Sequence, residues 1–320
     1  MRIVSLLPSA TETLCLIGGR GMLVGRSHEC DFPDGLEGVP TLTAARTGHG
    51  DAAAIDAQVR QQLAEGRSLY TINEAGIARL RPDLILTQDV CSVCSIDVET
   101  VRRLVQRMTP RPRVLSLNPT TVEGVLDDVV IVGEAAGLAS GAREAALRLR
   151  ERLFRAQEFV PPYVDGPVVG FLEWTEPLFI AGHWTVQLIE RAGGRHPLNP
   201  TAAREDAGAA EGPQQAGRTA GRSIAVPAEV FAGVRPDWLV VCPCGLGLER
   251  AWEETARLAR EAWFRSLPAV RAGRVAVVDG NQMFNRPGPR LVDAYEWLVG
   301  WVQGRAELMP RGFPWRAWEE

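Results

Sequence analysis

The chain has 320 residues, 46% apolar and 23% charged, with a formal net charge of −4. That length accommodates two α/β domains with separate cores, and a mild acidic excess without a dense basic stripe argues against nucleic acid as a partner. No uninterrupted apolar stretch reaches the ~18 residues that a membrane-spanning helix needs, and all 35 basic residues are arginine, which removes P-loop, Schiff-base and general-base lysine chemistry.

Met1-Arg2 leads directly into a strand, without a charged leader, apolar core and small-residue cleavage site. On that reading a cytoplasmic location is expected, or a periplasmic or extracellular one if a leader has been removed. Residues 4–7 read as the first strand. Ser9-Ala10-Thr11-Glu12 reads as a capping box opening a helix, which Gly18-Gly19 ends. Residues 24–27 form a second strand leading into His28-Glu29-Cys30-Asp31. A short helix over 77–80 precedes Arg81-Pro82-Asp83 and a buried strand over 84–86. Residues 97–108 are amphipathic, with Val98, Val101, Leu104 and Val105 on one helical face. A strand over 114–117 closes an N-terminal α/β lobe, 1–117.

Residues 118–160 hold no clear strand and form a helical linker. A helix over 122–136 is followed by a break and a long helix over 142–159, a semi-rigid connection. Residues 161–320 resume the strand–helix alternation as a C-terminal α/β lobe. There Val234-Arg235-Pro236-Asp237 before a strand echoes Arg81-Pro82-Asp83, a sign of two related lobes. The segment 201–221 is dominated by Ala, Gly, Gln, Arg and Thr. It has too little apolar surface to offset its ordering entropy and is expected to be a disordered insertion.

The sharpest motifs follow the apolar strands. Ser9 follows the first strand, and His28, Cys30 and Phe32 follow the second. Cys91-Ser92-Val93-Cys94 follows 84–86. Glu173-Trp174-Thr175-Glu176 and Gly182-His183-Trp184 follow 168–172. Cys242-Pro243-Cys244-Gly245 follows 238–241, and Phe284-Asn285-Arg286 follows 275–278. Parallel α/β sheets bind ligands outside the carboxyl ends of their strands. Two such groups, one per half, predict two lobes facing one ligand cleft.

Phe32, Tyr70, Trp174, Trp184 and Phe284 are candidate walls for a broad, partly apolar ligand. Burying about 300 Å² of such a ligand contributes roughly 7 kcal/mol before association costs. The competing reading is that these rings fill lobe cores. His28, Cys30, Cys91, Cys94, His183, Cys242 and Cys244 form a thiol–imidazole set. Reduced thiols could touch a ligand or its metal, or Cys91, Cys94, Cys242 and Cys244 could complete a zinc site. Cys15 reads as a core residue, His49 as a solvated turn residue and His196 as a loop residue. Arg286 and Arg290 could hold a ligand phosphate or carboxylate, or pair with Asp293 or Glu296.

Several pieces together resemble the periplasmic binding proteins of the helical-backbone class, in their vitamin B12 (cobalamin) binding branch. They are the opening segment through Pro8-Ser9-Ala10-Thr11-Glu12, Ser27-His28-Glu29-Cys30-Asp31-Phe32-Pro33, the two Arg-Pro-Asp segments, Gly182-His183-Trp184, Ala192-Gly193-Gly194 and Asn285-Arg286-Pro287-Gly288-Pro289-Arg290. The cysteine motifs are similar to those of a leaderless subgroup. The resemblance implies two lobes, each with a central mainly parallel sheet flanked by helices, joined by one long helix. It implies a corrinoid ligand, or a siderophore or haem in a relative coupled to an ABC transporter permease. It also implies one acidic residue per lobe that docks the transporter; Glu99 and Glu229 lie one residue from those positions. The expected function is therefore binding of a large cofactor, with Ser9, His28, Cys30, Phe32, Tyr70, Cys91, Trp174, His183, Trp184, Cys242, Cys244, Phe284 and Arg286 around it. The alternative is a metal-binding enzyme or metallochaperone built on the Cys/His set.

Overall fold

The structure, a computed structural model, describes residues 1–48, 50–89, 98–162, 165–205, 207, 212 and 214–319. His49, Cys91 and Cys94 lie outside the described residues. The chain divides into two compact α/β units. The first comprises Met1–Gly50, Ala54–Pro119 and Gly124–Arg150; the second comprises Asp51–Ala53, Thr120–Glu123 and Glu151–Glu320.

The first unit runs β1 (Ile3–Ser5), α1 (Pro8–Leu16), β2 (Leu23–Arg26), β3 (Thr43–Ala45), α2 (Ala52–Ala64), β4 (Tyr70–Ile72), α3 (Glu74–Leu80), β5 (Leu84–Gln88), α4 (Val98–Gln106), β6 (Arg113–Leu117), α5 (Val122–Ala136) and α6 (Ala139–Gln157). Its main sheet has the order β2-β1-β5-β6 and is parallel throughout. Strands β1 and β5 are buried along their whole length, which explains their unbroken apolar runs. A separate antiparallel pair joins β3 to β4. On α4 the buried residues are Val98, Val101, Leu104 and Val105, the face that the helical period predicts. The long helix α6 carries the chain from the first unit into the second.

The second unit continues with β7 (Val169–Thr175), β8 (Leu178–Ile180), α7 (His183–Arg191), β9 (Ala202–Ala203), β10 (Arg218–Thr219), β11 (Ile224–Ala225), α8 (Ala228–Gly233), β12 (Trp238–Val241), α9 (Leu248–Leu258), α10 (Ala262–Ser266), α11 (Pro268–Arg271), β13 (Val275–Val278), α12 (Leu291–Val302) and β14 (Trp315–Ala317). Its main sheet has the order β11-β8-β7-β12-β13-β14. Strands β7, β12 and β13 are parallel, and β8, β11 and β14 extend the edges antiparallel.

The Arg-Pro-Asp echo has a structural meaning. After α3, Arg81 adopts a left-handed conformation (φ 44°). Asp83 then clamps the residue before β1: its carboxylate accepts the Arg2 N–H at 2.6 Å and its own N–H donates to Arg2 O at 2.8 Å. After α8, Arg235 is left-handed (φ 50°). Asp237 makes the same pair of bonds to Val168, both at 2.8 Å. In each unit the motif ends a helix and sets the register between the first strand and its central neighbour.

Three local expectations are corrected. Helix α1 begins at Pro8, whose fixed φ suits the first helical turn; Leu7 occupies the cap position with no side-chain hydrogen bond, so the capping box does not form. Cys15 is half-exposed instead of a core residue. The 201–221 segment is ordered at its ends, where β9 and β10 pair antiparallel. The Arg218 guanidinium donates to Thr201 Oγ1 at 2.7 Å and Thr201 O at 2.6 Å, and the Thr201 N–H donates to Glu190 at 3.0 Å. Buried polar partners supply what apolar surface does not.

Candidate functional site

In the first unit the candidate residues collect at the carboxyl ends of the parallel strands. The Arg26 guanidinium organises the loop after β2, donating to Cys30 O at 2.8 Å and to Leu36 O and Val39 O, both at 3.2 Å. Within that loop His28 is half-buried. Its Nδ1 lies 2.7 Å from Thr43 Oγ1, and its backbone N–H donates to the same oxygen at 3.0 Å. The Tyr70 ring, at the start of β4, stands 5.8 Å from the imidazole. Burial holds the His28 pKa below the ordinary histidine value, so the ring is neutral. Phe32 is 39% exposed. Ser9 and Cys30 do not present their side chains: Ser9 is buried in α1, and Cys30 is 1% exposed with its Sγ 3.1 Å from Thr11 Oγ1.

In the second unit four segments meet at the strand ends. Glu173, near the end of β7, accepts the Gly182 N–H at 3.2 Å and a hydrogen bond from Ser223 Oγ. It thereby fixes the start of α7, where His183 has φ 47°. The His183 N–H donates to Gly221 O at 2.7 Å, while its buried Nδ1 has no partner. Burial, and then the Arg222 charge, lower the His183 pKa. Trp174 is part-buried on β7; its indole N–H donates to Glu176 O at 3.0 Å and Ala52 O at 3.3 Å.

Other candidates prove to be supports. Trp184 is 8% exposed and donates its indole N–H to Phe284 O at 2.7 Å. Phe284 is fully buried, 5.1 Å from Phe171 and 6.0 Å from Trp297. These two rings fill the core beneath the loops and line no ligand surface. Cys242 is fully buried, and burial, followed by the Glu173 and Asp279 charges, pushes its thiol pKa well up. Its Sγ lies 3.7 Å from Met283 O and 3.7 Å from the Asn285 amide nitrogen, inside the core. Cys244 is half-exposed, and its N–H donates to Glu173 O at 2.9 Å. No group of three or more metal-binding side chains occurs among the described residues, and zinc has no support there.

Arg286 is buried beside Asp279. Burial raises the Asp279 pKa, and N–H bonds from Gln282, Leu248 and Asn281 and the Arg286 charge oppose it. Arg290 donates to Gln282 Oε1 at 2.9 Å. Asp293 and Glu296 hold Arg152 from α6, at 2.5 to 2.9 Å. His196, expected as a loop residue, is 3% exposed, with Nδ1 2.9 Å from Val169 O. Glu99 and Glu229 are both exposed, in the first turns of α4 and α8. Two functional supports stand in the motifs that the sequence singles out, but without a role assigned to them there. They are Glu173, an acid inside an apolar strand, and Asn285, whose amide donates to Cys242 O at 3.0 Å and Gly280 O at 2.9 Å.

Two α/β units, each with a polar and aromatic cluster at its parallel strand ends, define a class of solute-binding folds. The chain belongs to the periplasmic binding protein family, whose model matches residues 3–281. Among solved structures it is similar to a periplasmic heme binding protein from Pseudomonas aeruginosa, with 20% identity over 95% of this chain and 92% of that one, at a TM-score of 0.67. It is also similar to the periplasmic vitamin B12 binding protein BtuF of Vibrio cholerae, with 19% identity over 96% and 98%, at 0.65. A third is a possible iron-binding periplasmic solute-binding protein from Staphylococcus epidermidis, with 18% identity over 97% and 98%, at 0.64. At these identities the likeness shows the fold. A search of curated proteins finds no match.

Proposed function

We propose that this protein binds a metallated tetrapyrrole, cobalamin or another corrinoid first, and that the strand-end clusters described for each unit supply its contacts. The observation that carries the reading is a half-buried imidazole at those ends, His28 with the Tyr70 ring 5.8 Å away in one unit and His183 in the other, together with the partly exposed Phe32 and the half-buried Trp174. The similarity in fold to periplasmic heme-binding and vitamin B12-binding proteins supports the size class. Arg286 and Arg290 are held by Asp279 and Gln282, which suits a ligand rimmed by uncharged amides. The second reading, haem, is favoured by Arg222, an exposed cation beside His183 that a propionate would use. The role is binding rather than catalysis. Titration with hydroxocobalamin is expected to shift the visible spectrum and to saturate in calorimetry. Silence of both cobalamin and haem at high concentration would sink the reading.

The reading extends to a cytoplasmic holder of the ligand, supported by the free thiols of Cys15, Cys242 and Cys244, which a reducing compartment would keep. Cell fractionation is expected to find the protein with soluble cytoplasmic enzymes. Recovery in the periplasm or outside the cell would instead favour delivery to an ABC transporter permease, with Glu99 and Glu229 as the docking residues.

A further inference from the structure

We propose that the exposed face of α6 is a self-association surface, on which a second copy of this chain packs antiparallel. None of the residues on that face belongs to the strand-end clusters, so the surface stands apart from the ligand reading. Its basis is apolar surface set in a charge pattern that complements its own reverse.

Positions three and four apart share one side of a helix. On α6 the outward side carries Glu144, Leu147, Arg148, Glu151, Phe154 and Arg155, all exposed. The inward side is already filled by Ala145, Leu149, Leu153 and Ala156, all buried, so the helix has a second apolar stripe with nothing of its own chain to cover. Leu147 is 57% exposed and Phe154 68%. They stand two turns apart on one side, the spacing that apolar residues take at a seam between two helices. Ile131 of α5, 42% exposed, adds to the patch. It lies between two ion pairs that join α5 to α6, Asp127 with Arg150 at 2.6 Å and Glu134 with Arg143 at 3.2 Å. Single apolar residues scattered over a surface are ordinary; large ones aligned along one helix face are not.

The charges along that face alternate in sign: Glu144, Arg148, Glu151, Arg155. Arg148 pairs with Glu144 within one copy, and both remain more than half exposed. Glu151 and Arg155 have no ion-pair partner among the described residues. Reversing the direction of the series turns it into its complement. With a twofold axis level with the bond between residues 149 and 150, Glu144 of each copy meets Arg155 of the other. Arg148 of each copy likewise meets Glu151 of the other. In the same register Leu147 of one copy falls about 3 Å along the axis from Phe154 of the other, at a rise of ~1.5 Å per residue. The apolar contacts and the ion pairs therefore form together. A parallel pair in register would set like charges against each other, which selects the antiparallel arrangement. The contact is isologous, so it closes at two copies.

Three side chains so exposed offer on the order of 300 Å² of apolar surface per copy, well below the ~800 Å² per partner of a standard interface. The pair is therefore weak and reversible, with a dissociation constant on the order of 100 µM.

Sedimentation velocity of the full chain from about 10 µM to about 1 mM brackets that constant. The dimer fraction is expected to rise with concentration and to fall in ~0.5 M salt, which screens exposed ion pairs. Phe154→Asp is expected to stay monomeric throughout. Glu144→Arg and Arg155→Glu, each alone, place two like-charged contacts in the homodimer and are expected to weaken it by more than about 10-fold. An equimolar mixture of those two variants restores opposite charge at every contact, and is expected to associate as the wild type does. All three variants alter exposed positions and should unfold within a few degrees of the wild type, about the effect of a surface substitution. A wild type that is monomeric at the highest concentration overturns the proposal. So does a dimer that survives Phe154→Asp, or a mixture that associates no better than its two components.

Discussion

Gly280→Ala is expected to cost about 3 kcal/mol of stability and to abolish ligand binding. Gly280 follows β13, where its loop meets the loop after β12 backbone to backbone. Its N–H donates to Leu246 O at 2.9 Å, and its carbonyl accepts the Gly245 N–H at 3.2 Å and the Asn285 amide at 2.9 Å. A β-carbon there would stand 2.5 Å from the Pro243 carbonyl carbon and 2.9 Å from that of Cys242, with the Pro243 oxygen nearer still. Main-chain atoms cannot rotate aside as a side chain can, so the two loops must separate. Overpacking costs typically 1–3 kcal/mol, and breaking the attached hydrogen bonds adds to it. For a unit of this size the melting temperature should fall by roughly 6–12 °C. Gly233→Ala, near the end of α8 with nothing within 4 Å of its added carbon, is the control and should be neutral or stabilising by about 0.5–1 kcal/mol. Thermal unfolding and hydroxocobalamin titration of both variants decide the matter. Unchanged melting of Gly280→Ala would show that these loops are not held together here.

The strands and the α4 face were legible because they are written in local periodicity. An unbroken apolar run marks β5, and Val98, Val101, Leu104 and Val105 mark one side of α4. The Arg-Pro-Asp echo was also legible as a pattern, although the bonds from Asp83 to Arg2 and from Asp237 to Val168 were not. What stayed hidden depends on partners far away in sequence. Trp184 and Phe284 looked like ligand walls, yet a hydrogen bond across 100 residues locks them together in the core. Cys242 and Cys244 looked equivalent, and only the packing of Asn285 and Met283 over Cys242 separates them. His196 carried no signal of burial, because Val169, whose carbonyl holds its ring, lies 27 residues earlier. Ser9 carried a cap signature that Pro8 pre-empts by starting the helix first. The antiparallel strands β8, β11 and β14 are three residues or fewer, too short for a period.

Asp128→Asn is expected to change how stability depends on pH. Asp128 lies on α5, 9% exposed, and its Oδ2 has no hydrogen-bond partner. Burial, and then the neighbouring Asp127 charge, push its pKa from 3.8 to about 7. The folded carboxyl therefore keeps a proton that the unfolded chain releases near 3.8. Stability falls as pH rises through that window and levels off above about 7. Each unit is worth about 1.4 kcal/mol, so the wild type should lose roughly 2–3 kcal/mol from this group between pH 5 and 8. The asparagine variant should lose none of it. Its unpaired amide has its own cost of about 1–3 kcal/mol, but that cost is the same at both pH values and cancels from the difference.

The histidines act in the opposite direction. Burial lowers the pKa of His28, His183 and His196 from 6.5. Between their folded and unfolded pKa values the unfolded chain holds more protons, so stability is full above about pH 6.5 and declines as pH falls below it. The wild type is thus confined from both sides, and Asp128→Asn should release the alkaline side alone. Urea unfolding of both proteins at pH 5 and pH 8 measures the difference. Parallel curves for the two proteins would mean that Asp128 already ionises freely in the folded chain.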